Sequence, residues 1–171
     1  MKTGGFIPPF FLEEYKMSLE QIGKNTSDGC VVPGQHVEVG ASGGATRTLL
    51  ASESGGTFFW DAATGVTYTL PVPVVGMEFD FYCTVAVTSN AHAVITDAGT
   101  TFLSGAINQI IDTSAVSEGQ VGAATDVTIS MNGGTTGGLI GTWIKVRCVT
   151  STLWISQGLV VSSDTLATPF A

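Results

Sequence analysis

Charge is scarce in this sequence. Only 12% of its 171 residues are Asp, Glu, Lys or Arg, about half the roughly 25% of an ordinary soluble domain. Basic residues are scarcest, 6 against 14 acids, for a net charge of −8. That balance offers little to phosphate backbones or anionic bilayers, so neither nucleic acid nor a membrane is an expected partner. Long apolar runs are missing too. The run Phe6-Ile7-Pro8-Pro9-Phe10-Phe11-Leu12 is broken by two prolines and ends at Glu13-Glu14. It makes a poor secretory core, and no stretch approaches the ~18 apolar residues of a membrane span. The three cysteines, Cys30, Cys83 and Cys148, are odd in number and far apart. They predict buried thiols in a protein made in a reducing cytoplasm rather than a disulfide framework.

Apolar residues (44%) and glycine (22 residues) are plentiful. Such a chain is too hydrophobic to be disordered throughout and long enough for one domain with a core. It divides in two. Residues 1–35 hold three of the four lysines and no valine before Val31. Within them Phe11, Leu12, Tyr15, Leu19 and Ile22 recur at helical spacing, which predicts a short helix over 10–22 followed by a connector. Residues 36–171 are rich in Val, Thr, Ile, Phe and Gly, the texture of strands.

Period-two alternation gives the strands their faces. Over 77–87 it places Met77, Phe79, Phe81, Cys83, Val85 and Val87 inside, with Glu78, Asp80 and Tyr82 outside. Thr57–Trp60 and Val66–Leu70 read as a hairpin with a five-residue turn. Further strands are expected at 91–97, 101–111 and 125–131. A final pair covers 141–150 and 153–161, with Trp143, Lys145 and Arg147 on its outer face. The predicted core includes Phe79, Phe81, Val85, Ile144, Val146 and Ile155. Eight to ten short strands with no second long helix predict an all-β body. The expected forms are an antiparallel β-sandwich, a jelly-roll-like fold or a β-barrel, with an N-terminal arm carrying the short helix.

Motifs for chemistry are thin. Gly40-Ala41-Ser42-Gly43-Gly44 fits G-x-S-x-G, but no β–α alternation supplies the sheet that a nucleophile elbow needs. Asp80 and His92 follow Ser42 in triad order, and order alone says little. His36 and His92 lie on separate segments with no third ligand at zinc spacing, and both read as surface residues. Glu78 and Asp80 share one strand face, where carboxylates serve glycoside hydrolysis or simply keep the face wet. Asn132 to Gly138 reads as a flexible loop, with no P-loop lysine after it. Neither a catalytic residue nor a metal or cofactor is expected.

Low charge with high apolar content suits a subunit that buries much of its surface in an assembly. Three stretches sharpen this. They are Gly56-Thr57-Phe58-Phe59-Trp60 through Thr69-Leu70-Pro71-Val72-Pro73-Val74-Val75-Gly76-Met77-Glu78-Phe79-Asp80-Phe81, then Thr88-Ser89-Asn90-Ala91-His92-Ala93-Val94-Ile95-Thr96, and Gly141-Thr142-Trp143-Ile144-Lys145-Val146-Arg147-Cys148-Val149 with Leu153-Trp154. Together they resemble the small β-rich capsid decoration, or cement, proteins of tailed bacteriophages. The resemblance spans about 57–160 and leaves the arm unmatched. It implies a homotrimer on the outer capsid surface, bound to the major capsid protein, made in the host cytoplasm and without catalytic residues. The contact set expected in the arm is Phe6, Ile7, Phe10, Phe11, Leu12 and Tyr15, an apolar group that would be a liability on a free surface. Loops of the body are the other possible contact. The alternative function is a tail or fibre-associated β domain that binds a host glycan through Trp60 and Trp154.

Overall fold

The computed structural model describes residues 46–171, together with the backbone of 37–39. The expected arm, its helix at 10–22 and the set from Phe6 to Tyr15 lie outside the described residues, as do Cys30, His36 and Ser42. The strands are β1 (Val37–Val39), β2 (Thr46–Thr48), β3 (Gly56–Trp60), β4 (Thr67–Thr69), β5 (Glu78–Cys83), β6 (His92–Ile95), β7 (Phe102–Ile111), β8 (Ser117–Gly122), β9 (Thr128–Met131), β10 (Trp143–Thr150) and β11 (Leu153–Ser162). A single 3₁₀ turn, Ala51–Glu53, is the one helical element among the described residues. The body is therefore nearly all β, as expected.

The strands form a seven-stranded sheet, ordered β1-β3-β5-β10-β11-β7-β8, and a four-stranded sheet, ordered β2-β4-β6-β9. From β1 to β6 the chain alternates between the sheets. Each return lays a strand parallel to the previous one in that sheet, so Val37, Thr57 and Asp80 align in one and Thr46, Thr67 and Ala93 in the other. This winding corrects two expectations. The sheets are mixed rather than antiparallel, and β3 and β4 are not a hairpin. Both strands carry large buried rings. The crossing sets these rings opposite one another across the interior, Phe58 tilted against Tyr68 at 5.6 Å between centroids, where a hairpin would hold them side by side.

One core cluster joins both sheets. Phe58, Trp60, Tyr68, Phe79, Phe81 and Trp154 are fully buried at its centre. Trp60 stacks on Phe81 at 5.4 Å and on His92 at 5.7 Å, and Phe79 meets Trp154 at 5.9 Å. The indole N–H groups of Trp60 and Trp154 find no acceptor among the described residues. One unmade hydrogen bond costs about 1–3 kcal/mol. Removing a ring's roughly 150–250 Å² from water gains more than that at ~25 cal/mol/Å². Shape thus outweighs polarity at both sites.

Several core assignments change. Strand β5 stops at Cys83 because the N–H groups of Thr84 and Val85 both donate to the Trp60 carbonyl, bending the chain away. Val85 is consequently only half-buried. Ile155 is 37% exposed, not core. Antiparallel partners share a face, and the register sets Trp154 beside Cys148 and Ser156 beside Val146. Trp154 therefore turns inward and Ile155 outward. His92 is fully buried rather than on the surface. Its Nδ1 accepts from the Val66 N–H at 3.1 Å and its Nε2–H donates to the Val85 carbonyl at 3.0 Å. Cys83 and Cys148 are buried free thiols. Burial pushes the Cys83 thiol up to about 11 and raises that of Cys148.

The two sheets treat their edges differently. At β9 the C-terminal segment closes the edge: Val127 and Thr128 donate to the Ala171 carbonyl and Ser130 to that of Pro169. Phe170 is buried there, so close to Gly122 that a Cβ on the glycine would meet its ring at 2.7 Å. Loop 132–138 is tied down rather than loose. The Asn132 side-chain oxygen accepts from the N–H groups of Gly134, Thr135 and Thr136.

Candidate functional site

Chemistry-bearing side chains meet on the outer face of the seven-stranded sheet. Residues in register on neighbouring strands project from the same side, so the pairing defines rows across the sheet. One row runs Phe59, Tyr82, Trp143, Leu159 and Asn108. The next runs Thr57, Asp80, Lys145, Gln157 and Ala106, and a third holds Glu78, Arg147, Ile155 and Ser104. The first row is aromatic at its centre. Phe59 and Tyr82 lie 6.4 Å apart with their rings tilted by 46°, and Tyr82 pairs directly with Trp143. Tyr82 is 42% and Trp143 37% exposed, so each ring rests on the sheet and still offers a surface to solvent.

The charged rows are largely self-neutralised. The Lys145 ammonium lies 3.3 Å from a Glu78 carboxylate oxygen and 3.7 Å from one of Asp80. Partial burial raises the Asp80 carboxyl above its ordinary value and Glu78 adds to the rise, while Lys145 works against both. Two carboxylates from the same side of one strand, bridged by one lysine, do not flank a scissile bond in the manner of a glycosidase pair. The arrangement makes a neutral polar strip beside an aromatic row. Such a combination offers ring faces for apolar contact and polar groups suited to amides and hydroxyls.

The other candidate residues of the sequence are dispersed. Asp80 is on the outer face and His92 is inside, so the described members of the G-x-S-x-G reading do not meet. Trp60 and Trp154, the expected glycan aromatics, are sealed in the core. Among the described residues, no three His, Cys, Asp or Glu side chains gather as metal ligands. No helix there is long and apolar enough to cross a membrane. The signal for the outer row was the alternation that set Trp143 with Lys145 and Arg147. Tryptophan content alone does not reveal it, because Trp60 and Trp154 face inward while Trp143 faces outward.

A second exposed apolar feature is the 70–77 loop. Val72, Val74 and Val75 are largely exposed there. Pro71 and Pro73 stiffen the segment, and the Gly76 N–H donates to the Cys148 carbonyl at 3.0 Å. Gly76 has a φ of +96°, a turn that suits glycine. No protein-family model, no curated protein sequence and no solved structure matches this chain.

Proposed function

We propose that this is a virion structural protein, a capsid decoration protein that binds the outer surface of a tailed-phage capsid and stabilises it. The carrying observation is the apolar surface left on a weakly charged body: the Phe59–Tyr82–Trp143 row and the valines of the 70–77 loop. Such patches mark interaction surfaces more than solvent-facing ones. The likeness of the 57–160 stretch to decoration proteins supplies the partner, the major capsid protein, and the homotrimeric state. In this reading the two sheets form a β-sandwich that serves as a rigid block, and the arm with Phe6, Ile7, Phe10, Phe11, Leu12 and Tyr15 grips the coat. The protein works by contact, without catalysis or a cofactor.

The test separates attachment from folding. Deleting residues 1–23 should move thermal melting of the isolated protein by only a few degrees while occupancy on purified particles falls at least tenfold. Hundreds of copies per particle are expected for the intact chain. A handful of copies, or none, would overturn the decoration reading.

The outer aromatic row favours a second reading, a tail or fibre-associated β domain that binds a host glycan. Aromatic faces beside Asp80, Gln157 and Asn108 suit a neutral sugar, whose hydroxyls pair with amides and acids while its C–H face lies on the rings. Retardation in gels cast with neutral polysaccharides, lost in Trp143→Ala, would support it. Unretarded migration in all of them would remove it.

A further inference from the structure

Edge strands of natural sheets are usually shortened, charged, bulged or covered. Strand β8 has little of this protection. It extends over six residues without proline or lysine and is paired along one side with β7. Among the described residues nothing pairs with its other side. Val116, just before the strand, and Val121, near its end, are 53% and 74% exposed. The β9 edge, by contrast, is closed by the chain's own C-terminal segment.

The phase of the β7–β8 ladder shows which groups are free. The Ile111 N–H donates to the Val116 carbonyl, and these two residues continue the register that pairs Gln109 with Glu118 and Ile107 with Gln120. In an antiparallel ladder hydrogen-bonded and non-hydrogen-bonded pairs alternate. Glu118, Gln120 and Gly122 therefore spend their backbone groups on β7. Ser117, Gly119 and Val121 point theirs away from it.

We propose that this edge pairs with the same edge of a second copy, antiparallel and centred on Gly119. In that register Ser117 faces Val121 of the other copy and Gly119 faces its own counterpart. All three outward-pointing residues then exchange their backbone bonds. Glu118 faces Gln120, so the one charge in the strand meets an amide and not its own twin. A register slipped to set Glu118 against Glu118 would oppose like charges and is disfavoured. Gly119 has open space where a Cβ would stand, which lets the strands approach closely at the centre. The contact is isologous and closes at two chains. It is independent of the decoration reading, and within a homotrimer it would join one trimer to the next.

Engineered thiols test the register in the full chain carrying Cys30→Ser, with Cys83 and Cys148 buried. Under mild oxidation at 0.15 M salt, Gly119→Cys should run mostly at twice the chain mass on non-reducing gels. Val121→Cys alone should give at most a tenth of that, because its counterpart would lie four residues along the strand, about 13 Å away. Mixing Ser117→Cys with Val121→Cys should restore the link. Val121→Pro removes an outward N–H without touching the β7 ladder, and should halve the sedimenting mass while melting is kept. The proposal is overturned if Gly119→Cys does not cross-link, or if Val121→Cys links to itself equally well. It is also overturned if the protein sediments as one chain while the Ser117, Gly119 and Val121 amides exchange slowly. That last result would mean that the chain's own remaining segment covers the edge.

Discussion

On β5 and β10, residues one step apart face different worlds. Phe79, Phe81, Ile144 and Val146 are fully buried, whereas Glu78, Asp80, Tyr82, Trp143 and Lys145 look outward. The inward set is locked by rings from both sheets. The outward set is held by register, by the tilted contact of Tyr82 with Phe59 and by one lysine between two acids. The difference separates stability from function. Inward side chains fix where the strands lie, and outward ones can change with little effect on folding because no second layer constrains them among the described residues.

The largest contrast is between adjacent residues. Phe81→Ala should destabilise by about 3–5 kcal/mol, since its ring contacts Phe58, Trp60 and Tyr68 and leaves a cavity. Tyr82→Ala should lose only about 1 kcal/mol or less. Urea titrations of the two variants decide this. Equal losses would mean that the two faces are not as different as their burial indicates.

Much of this division was legible in the alternation of hydrophobic and polar residues, from Glu78 to Phe81 in β5 and from Ile144 to Cys148 in β10. The winding was not. From β1 to β6 the parallel neighbours are some twenty or more residues apart in the chain, and no local pattern distinguishes a sheet-to-sheet crossing from a hairpin when both strands carry aromatic residues. Strand β8 is not legible in the sequence because Ser117, Glu118, Gly119 and Gln120 lack the β-branched and aromatic residues that favour strands. Its pairing with β7 overrides that preference. His92 looked polar in sequence because its two backbone partners, Val66 and Val85, come from other segments. Of the outer site, the alternation alone shows the face of Tyr82, Trp143 and the acid pair. Their alignment into rows depends on strand order, which the sequence does not spell out.

The buried histidine offers the next contrast. His92→Gln should cost about 1–3 kcal/mol by leaving the Val66 N–H or the Val85 carbonyl unpartnered inside. The wild-type protein should also lose stability as pH falls. Burial lowers the imidazole's affinity for a proton, opposed by its bond to Val85 and by Asp61. The unfolded chain binds that proton near pH 6.5. Below this pH it holds more protons than the native state, until the lowered folded value is passed. Unfolding midpoints at pH 8 and pH 5 should therefore differ more in wild type than in His92→Gln. Parallel pH curves would mean that His92 is solvated in the native protein.

The smallest effect belongs to the outer face and has the opposite sign. Asp80 has a raised carboxyl, so around pH 4 the folded state holds more of its proton than the unfolded state does. Its contribution to stability consequently declines as pH rises through that window and is recovered on acidification. Lys145→Met removes the cation that opposes the rise, which should widen the window. At neutral pH the loss should stay below about 1 kcal/mol, because a solvent-accessible ion pair contributes little. Carboxylate chemical shifts of Asp80 in the two proteins would follow the titration directly. A lower Asp80 titration in Lys145→Met would show that the lysine does not govern the acid pair. The aromatic row would then border two free carboxylates rather than a neutral strip, and the surface would favour a basic partner over a neutral one.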